Sequence, residues 1–540
     1  MREHLGLAGG FLGQVRARPD APALVWQGEE VSYRALYEAA GRERERLALL
    51  GLAPAEPVGV LAPKSPATIA LVLACVLTGR PFLLPSPALA DAQLADLFAQ
   101  AGCRAVLAPQ GTAERVLPDS GVASQPVPDG TTFMLTTSGS TGLPKIVPLG
   151  AAAVDRFTAW AGPAFGIGPG TGVLNHAPLN FDLCLLDVWT TLAHGGHVVL
   201  VDPDRGVRGG HLLGLLESGT VHVVQAVPMV HALVADAARR AGVRRLPAVR
   251  HLMVTGDAVP QRVLVQLPGL FPNARLHNIY GCTETNDSFV HEIDRDAVHR
   301  PVPIGRPVPG AAALVVDADG AVVEGPGAGE LYVSTPFQSP GYLDRTRHRG
   351  AFTGHPAALR PAGEAPADGA HGGADAGSDP EQADGAHVGA DGGADGGADG
   401  GADAARAWFR TGDLVRRDAE GRLHLTGRRD HQVKVRGVAV NTAEVERVLL
   451  GHPAVLEAGV TARPDPLTGR SLVARVRRRP GAALNSLQLK QHCALGLPKA
   501  AVPSALTVVD GPLPKTSTGK VDRTALGRLS ELPTAEGRTS

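Results

Sequence analysis

Short apolar runs rich in β-branched residues alternate with longer segments of helical periodicity between residues 183 and 281. Each short run ends at a glycine, a proline or a polar turn, as strands in folded domains do. Because chains that alternate strand and helix usually form a largely parallel sheet covered by helices, the pattern predicts an α/β fold. Strands are predicted at 197–201, 221–227, 251–256 and 274–281, and helices at 183–194 and 229–240.

Two local signals predict helix starts elsewhere in the chain. Ser65 precedes Pro66 at the head of an apolar segment, and Asn441 stands three residues before Glu444 in a capping-box pattern. A hydroxyl or amide oxygen accepts a free amide at a helix start, and proline is tolerated in the first turn. The second helix follows a predicted strand pair at 430–440, so the regular alternation of single strands and helices ends there. A prior of roughly 150 residues per domain excludes a single core, and we predict a large N-terminal domain at 1–429, a small α+β domain at 431–526 and a tail at 527–540.

Residues 356–405 are rich in Gly, Ala and Asp and repeat the tetrad Gly-Gly-Ala-Asp in tandem. They hold ten acidic residues against one base, Arg360, which leaves the rest of the chain with a net charge of about +8. Such a composition cannot bury enough apolar surface to fold. A calcium-binding repeat would need an apolar residue in each turn, which the tetrad lacks. We therefore predict a disordered surface loop.

Composition excludes several classes of protein. The formal net charge is −1, so no overall field attracts nucleic acid or anionic lipid, and neither partner is expected. No segment is apolar enough for a membrane span or a signal peptide, which predicts a cytoplasmic protein. The five cysteines lack a Cys-x-x-Cys pair, which excludes a disulfide framework and a zinc ribbon; they stand at positions 75, 103, 184, 282 and 493.

The segment at 136–145 reads Thr-Thr-Ser-Gly-Ser-Thr-Gly-Leu-Pro-Lys. Hydroxyls and glycines at this density let backbone amides surround a polyphosphate, and Lys145 adds a positive charge. The segment is not a Walker loop, and the nearest match to one, at 518–520, is followed by Val521 instead of Ser or Thr. Phosphate binding is favoured, with a flexible polar linker as the alternative.

Four further segments accompany the phosphate-binding candidate, at 277–285, 409–414, 427–437 and 513–523. They read His-Asn-Ile-Tyr-Gly-Cys-Thr-Glu-Thr, Phe-Arg-Thr-Gly-Asp-Leu, Gly-Arg-Arg-Asp-His-Gln-Val-Lys-Val-Arg-Gly and Leu-Pro-Lys-Thr-Ser-Thr-Gly-Lys-Val-Asp-Arg. In this order the five segments resemble the signature set of the adenylate-forming superfamily, from about residue 10 to 526. Within it, the chain is similar to free-standing relatives of nonribosomal peptide synthetase adenylation domains. The resemblance implies a small barrel-like β subdomain in the large domain and a mobile C-terminal domain.

The resemblance also implies which residues act on ATP. Lys520 would contact the substrate carboxylate and the α-phosphate, Thr283 the α-phosphate, and Glu284 a Mg²⁺ ion. Tyr280 would stack on adenine and Asp413 would accept both ribose hydroxyls. The full ATP-binding set is Thr137, Ser138, Gly139, Ser140, Thr141, Gly142, Lys145, Gly256, Asn278, Tyr280, Asp413 and Arg428. Singly, a helix cap for Glu284 or Asp413, packing for Tyr280 and a solvated charge for Lys520 are the alternatives.

Asp430 stands where the family places the hinge between the two domains. In relatives the small domain first presents its lysine and then turns another face, here 433–437, to an incoming thiol. The lysine and the thiol cannot occupy the same space, so a moving domain suits two successive half-reactions. A static aspartate in a surface turn is the alternative.

Asp182, in the segment Asn-Phe-Asp-Leu at 180–183, matches the aspartate that pairs with the substrate amino group in amino-acid-activating relatives. A buried carboxylate needs a cation or donors, although Asp182 could instead cap the following helix. The resemblance leaves open a proline-like, an alanine-like or a β-amino acid. Besides Asp182, the implied pocket residues are Leu183, Leu186, Gln225, Met253, Thr255, Ile279, Asp287 and Ser288.

The sequence lacks the carrier attachment pattern Gly-Gly-x-Ser, and its one match to the condensation pattern His-x-x-x-Asp-Gly, at 387–392, lies within the Gly-, Ala- and Asp-rich segment 356–405. We therefore expect a ligase that activates an amino acid with ATP and loads it on a separate phosphopantetheine carrier protein in secondary metabolism, such as antibiotic biosynthesis. An acyl-CoA or aryl-CoA ligase is the second hypothesis, and an inactive nucleotide-binding scaffold is the third.

Deletion of residues 356–405 is expected to leave the rate of ATP–pyrophosphate exchange nearly unchanged, because a segment without core residues cannot support the site. Exchange measured on the deleted and full-length chains at equal concentration checks this expectation. A collapse of exchange in a deletion variant that keeps its melting temperature would overturn the prediction of a dispensable loop.

Overall fold

A computed structural model describes most of the chain. The loop predicted at 356–405 lies outside the described residues apart from its first position. The described ranges are 6–109, 117–137, 144–257, 259–298, 301–346, 350–356, 406–429, 432–436, 438–465, 469–514 and 521–531.

Strands and helices alternate in the first half of the described chain, and strands dominate after it. The first strands are β1 (Pro22–Trp26), β2 (Glu29–Ser32), β3 (Val58–Val60), β4 (Phe82–Leu83), β5 (Ala105–Leu107), β6 (Thr131–Thr137), β7 (Lys145–Gly150), β8 (Gly172–Asn175), β9 (His197–Leu200), β10 (Val223–Ala226), β11 (His251–Thr255), β12 (Arg275–Cys282), β13 (Asn286–Glu292) and β14 (Arg306–Pro307). The later strands are β15 (Ala312–Val316), β16 (Gly327–Ser334), β17 (Phe352–Thr353), β18 (Trp408–Arg417), β19 (Leu423–Arg428), β20 (Gln432–Val435), β21 (Val438–Asn441), β22 (Val455–Asp465), β23 (Gly469–Arg478) and β24 (Ala505–Val509).

The α-helices connect the strands of the first half and cover the last sheet. They are α1 (Leu7–Ala17), α2 (Tyr33–Leu49), α3 (Pro66–Thr78), α4 (Asp91–Gln100), α5 (Ala151–Ala164), α6 (Thr191–His194), α7 (Gly209–Glu217), α8 (Pro228–Ala241), α9 (Gln261–Leu264), α10 (Leu267–Leu270), α11 (Thr442–Leu450), α12 (Ser486–Gly496) and α13 (Arg523–Glu531). Two other helices are a π-helix at Leu185–Thr190 and a 3₁₀ turn at Lys499–Ala501. None of the described helices combines the length and the apolar character needed to cross a membrane.

The largest sheet has nine strands in the order β14-β13-β12-β11-β10-β8-β9-β1-β2. Its central strands are parallel, and the edge pairs β1 with β2, β12 with β13 and β13 with β14 are antiparallel. The four strands predicted from the sequence are β9 to β12, and the helix predicted at 229–240 is α8. The α/β prediction is therefore confirmed, with the carboxyl ends of the parallel strands at one edge.

A second sheet, ordered β5-β3-β4-β6-β7, is parallel except for its edge strand β7. One buried cluster includes residues of both sheets together with α3, α5 and the π-helix, so these helices form the layer between the sheets. Helix α3 is buried along most of its length, and Ser65 caps it by accepting the Thr68 amide at 3.1 Å, as the sequence predicts. A separate cluster covers the opposite face of the nine-stranded sheet with α7 to α10.

The remaining strands form smaller sheets. Strands β15 to β19 build an antiparallel sheet, β20 and β21 form the predicted hairpin, and β22 to β24 form a sheet that packs against α11 and α12 around its own core. Asn441 accepts the Glu444 amide at 3.4 Å at the start of α11, as the capping pattern predicts. The domain boundaries near residue 430 and the mobility of the C-terminal part stay predictions.

The segment predicted as an ordinary helix at 183–194 differs from expectation. Its centre winds as a π-helix, and α6 completes it. The hydroxyls of Thr190 and Thr191 donate to the carbonyls of Leu185 and Leu186, at 2.7 and 3.3 Å, each five residues earlier. These hydroxyls satisfy carbonyls in the widened turn, and single π-turns of this kind frequently occur at functional sites.

Candidate active site

The phosphate-binding candidate connects two paired strands. Thr137 ends β6 and pairs with Lys145, the first residue of β7. The Thr137 hydroxyl is buried and has no hydrogen-bond partner among the described residues. Ser138, Gly139, Ser140, Thr141 and Gly142 lie outside the described residues. An unpaired donor beside a lysine at the mouth of this loop suits an oxyanion ligand.

Tyr342 links Lys145 to Glu284. Lys145 Nζ donates to the Tyr342 hydroxyl at 3.2 Å and lies 4.6 Å from the centre of its ring. The hydroxyl in turn donates to Glu284 Oε1 at 2.5 Å. Burial and the neighbouring Glu284 charge raise the pKa of Tyr342, which keeps it a donor. The structure therefore joins the predicted phosphate lysine to the predicted metal carboxylate through a residue that the motifs did not identify.

Glu284 occupies the turn between β12 and β13 together with Thr283, and Glu284 is buried. Among the described residues no group of three or more His, Cys, Asp or Glu could enclose a metal ion. Mg²⁺ in nucleotide sites keeps waters and phosphate oxygens and needs only one or two protein carboxylates. A single buried carboxylate held by Tyr342 therefore fits a magnesium ion brought by ATP.

Strands β12 and β18 bring Tyr280 and Asp413 together. The Tyr280 hydroxyl donates to Asp413 Oδ2 at 2.6 Å, and Arg428 Nη1 donates to Asp413 Oδ1 at 2.7 Å. Burial and the Asp413 charge raise the pKa of Tyr280 well above its usual value, so its hydroxyl remains protonated. A carboxylate offers about four acceptor positions, which leaves Asp413 able to accept further donors such as ribose hydroxyls.

Two residues are predicted at the edge of the adenine ring. One follows a strand, and the other lies on the neighbouring parallel strand. Gly256 comes directly after β11 and has φ of +82°, a conformation that favours glycine. Asn278 lies on β12, and its Nδ2 donates to the Pro303 carbonyl at 2.8 Å, which fixes the side chain. Asn278 thus lies on the same strand as Tyr280, and Gly256 follows the strand that pairs with it.

Asp182 is partly buried in the turn before the π-helix, where Cys184 is the N-cap residue. The N-cap residue Cys184 makes no side-chain cap hydrogen bond, whereas the backbone amides of Asp182 and Leu183 bind the Asp182 carboxyl and lower its pKa, so the helix-cap alternative stays open. Burial raises the pKa of Asp182 to about 6, while the positive charge of Lys434 lowers this pKa and the negative charge of Glu284 raises it. Lys434, on β20, is the positively charged residue whose field reaches the Asp182 carboxyl.

The other pocket residues occupy one face of the sheet. Gln225 is in register with Met253, and Thr255 with Ile279, so their side chains share the face that packs against the π-helix carrying Leu186. The structure thus brings together most of the predicted pocket. Leu183 is half-buried beside Asp182.

Polar atoms of Gln225 and Asp287 meet across two strands. Gln225 Nε2 donates to Asp287 Oδ2 at 3.0 Å, and both side chains are buried. Burial and the Asp182 charge raise the pKa of Asp287 to about 7. Ser288 differs, because its hydroxyl donates to the Asn286 carbonyl at 2.9 Å and is hydrogen-bonded to the Thr285 hydroxyl at 2.8 Å within the turn.

A buried polar group behind the pocket was not predicted from the sequence. Lys64 Nζ donates to the carbonyls of Asn175, His176 and Ala177 at 3.0 to 3.2 Å. Asn175 Nδ2 donates to Asp187 Oδ2 at 3.2 Å, on the π-helix. Burial raises the pKa of Asp187 and lowers that of Lys64 to about 8. This group fixes the end of β8 against the helix that follows Asp182.

Two predicted residues with central roles, Lys520 and Asp430, lie outside the described residues. The reaching lysine and the hinge therefore stay predictions. The residues that were not predicted, Tyr342 and Lys64, act through contacts between distant parts of the chain, and no local pattern marks them.

Comparison with known proteins gives two family matches. The profile described as AMP-binding enzyme matches residues 11–127 and 112–343, and the profile described as AMP-binding enzyme C-terminal domain matches 444–520. An L-proline--[L-prolyl-carrier protein] ligase of Streptomyces coelicolor is 32% identical over 400 residues, covering 73% of this chain and 65% of that protein. The phosphinothricin tripeptide synthetase PhsB of Streptomyces viridochromogenes is 31% identical over 541 residues, covering 95% of this chain and 41% of that protein. The chain thus spans less than two thirds of the length of either relative.

Solved structures share the fold along nearly the whole chain. The structure of holo-PA1221, an NRPS protein containing adenylation and PCP domains, has a TM-score of 0.75 and 25% identity, covering 98% of this chain and 85% of that chain. The o-succinylbenzoate CoA synthetase MenE of Bacillus subtilis has a TM-score of 0.73 and 21% identity, covering 96% and 98% of the two chains. The second likeness is one of fold alone.

Proposed function

Because this chain belongs to the AMP-binding enzyme family, the adenylate-forming ligases, we propose that it activates an amino acid with ATP. The amino-acid carboxylate attacks the α-phosphorus, pyrophosphate leaves, and an aminoacyl-AMP forms. A thiol of a phosphopantetheine carrier protein, carried on a separate chain, then attacks the acyl carbon. AMP leaves in this second step, and the thioester forms.

The proposal assigns residues of this chain to the phosphates and to the ribose of ATP. Thr137 and Lys145 hold the β- and γ-phosphates through an unpaired hydroxyl and a positive charge. Asp413, oriented by Tyr280 and Arg428, accepts the ribose hydroxyls. Glu284 would hold a magnesium ion together with the phosphates of ATP, and that ion would supply charge neutralisation.

Lys520 and Thr283 complete the proposed catalytic set. A lysine at the α-phosphate offsets the negative charge that develops as the carboxylate oxygen approaches the phosphorus. Because the lysine would come from the C-terminal part of the chain, the proposal includes rotation about Asp430 between the two half-reactions. The reaction consumes ATP, so the proposed location is the cytoplasm, and the proposed context is nonribosomal peptide or antibiotic biosynthesis.

The single observation that supports an amino acid, instead of an amine-free acid, is Asp182. Its carboxylate stands at the start of the segment that carries Leu183 and Leu186, and burial raises its pKa to about 6. A carboxylate in such a place is stabilised when a cation binds to it. The substrate ammonium supplies that cation, and the likeness to a proline–carrier ligase supports the same substrate class.

Pyrophosphate exchange with a panel of acids tests this proposal. We expect α- or β-amino acids to promote exchange and their amine-free counterparts to fail. Asp182→Asn should reduce kcat/KM for the preferred amino acid by about 10-fold or more, because one charge-assisted contact is lost. Asp319→Asn, on an exposed turn, is the matched control and should leave exchange unchanged.

Exchange promoted only by amine-free acids would replace this proposal with the second candidate, an acyl-CoA or aryl-CoA ligase, which the fold of MenE accommodates. Nucleotide binding without exchange for any acid would indicate the third, an inactive scaffold.

A further inference from the structure

The far end of the pocket holds two acceptor groups without a cation among the described residues. Gln225 is fully buried, and its Oε1 has no hydrogen-bond partner in the described structure. Its Nε2 is already committed to Asp287 Oδ2 at 3.0 Å. A buried acceptor left unpaired costs free energy, so the arrangement requires a donor from outside the described side chains.

The Asp287 carboxylate fixes the orientation of the buried Gln225 amide. With Asp287 ionised, the amide nitrogen must face the carboxylate, because the reverse orientation would place two acceptors against each other. The carbonyl end of Gln225 and the second oxygen of Asp287 then remain as acceptors. A protonated Asp287 would permit the reverse orientation, which would present a donor to the substrate instead.

The charges around Asp287 are negative. The negative charge of Asp182 raises the pKa of Asp287, and the negative charge of Asp287 in turn raises the pKa of Asp187. Asp187 has its own partners in Asn175 and the nearby charge of Lys64, whereas the cation near Asp182 is Lys434. Within the described residues, Asp287 has no such cation.

Between the two acid groups the lining is apolar. Leu186, Met253 and Ile279 are buried on the shared face and would contact the hydrocarbon part of a substrate. A substrate that satisfies the whole pocket thus has a cationic group at Asp182, a short hydrocarbon segment, and donors at its other end.

We propose that Gln225 and Asp287 bind a second amine of the substrate, so that the acid activated at this site is a diamino acid. This inference rests on the proposed function, because it assumes that Asp182 holds the amine nearer the activated carboxylate. One ammonium group offers three donors, enough to satisfy Asp287 and Gln225 Oε1 together. A methyl group at that position would leave Gln225 Oε1 and the second oxygen of Asp287 without a donor.

Isosteric series in pyrophosphate exchange test the inference. The amine series is 2,3-diaminopropionate, 2,4-diaminobutyrate and ornithine; the hydroxyl series is serine, homoserine and 5-hydroxynorvaline; the methyl series is 2-aminobutyrate, norvaline and norleucine. For at least one chain length we expect the amine to exceed both isosteres by about 10-fold or more in kcat/KM, because a charge-assisted contact is formed.

Variants separate the second-amine site from the first. Asp287→Leu should abolish the preference for the amine and favour the methyl isostere, and the isosteric Asp287→Asn should reduce the preference if the leucine variant does not fold. Asp182→Asn should lower kcat/KM for the amine series and for the methyl series alike. Asp319→Asn should leave kcat/KM for both series unchanged.

The outcomes separate the two proposals. A preference of the wild-type enzyme for a hydroxyl or methyl isostere, unchanged by Asp287→Leu, would overturn the diamino-acid inference and leave amino-acid activation intact. Failure of every amino acid, with exchange from amine-free acids, would overturn the proposed function itself.

Discussion

Replacing Lys520 by Ala should slow adenylate formation by roughly 100-fold or more, because the change removes a positive charge directed at the transition state. Transfer from a supplied aminoacyl adenylate to the carrier thiol should survive, since the lysine is proposed to serve the first half-reaction. Single-turnover adenylation and thioester formation, measured separately, check both expectations.

The control for this substitution is Lys499→Ala, which removes an exposed lysine from the same part of the chain. It should leave both steps unchanged. Equal losses of adenylation and transfer in Lys520→Ala would show that the lysine supports the structure instead of the chemistry.

Replacing Asp413 by Ala should raise the KM for ATP and lower kcat/KM by roughly 100-fold or more. The variant would lose two charge-assisted hydrogen bonds to the ribose, each worth about 1.5–3 kcal/mol. A loss of about 1.4 kcal/mol corresponds to a tenfold decrease in affinity. The KM for the acid should change much less, because Asp413 belongs to the nucleotide half of the site. Exchange kinetics with ATP and the acid varied in turn measure the two effects.

Removal of Asp413 also removes one of the acceptors of Arg428, at 2.7 Å, so a loss of stability must be distinguished from a loss of binding. Asp418→Ala is the matched control, because it also removes a carboxylate that binds an arginine. Asp418 binds Arg422 at 2.8 Å and His424 at 2.9 Å, away from the site. The control should keep its ATP KM. An unchanged ATP KM in Asp413→Ala would contradict the ribose assignment.

Local patterns in the sequence predicted much of the fold. Alternating runs predicted β9 to β12, because each ends in a turn residue that breaks the strand. Ser65 and Asn441 predicted helix starts, because short polar side chains satisfy the free amides of a first turn. The π-helix was not predictable, since its threonine-to-carbonyl bonds leave no distinct periodicity in a fully buried segment.

The site was predictable where chemistry is concentrated in short motifs. Tyr280, Glu284, Asp413 and Arg428 were identified in this way, and the structure brings Tyr280, Asp413 and Arg428 into one hydrogen-bonded group.

Contacts between distant segments were not predictable. Tyr342 meets Lys145 across 197 positions, and Gln225 meets Asp287 across 62 positions. A pocket built from several strand ends reveals its partners only after the sheet order is known. The proposed substrate class therefore rests on the contacts of Asp287 as well as on the segment that contains Asp182.

Mass spectrometry of the adenylate formed from a mixed pool tests the central claim most directly. The chain is incubated with ATP, Mg²⁺ and equal amounts of α-amino acids, β-amino acids, diamino acids and amine-free acids. We predict the mass of an aminoacyl-AMP that depends on Lys520 and Asp182. An adenylate formed only from an amine-free acid, or no adenylate from any acid in the pool, would contradict the account.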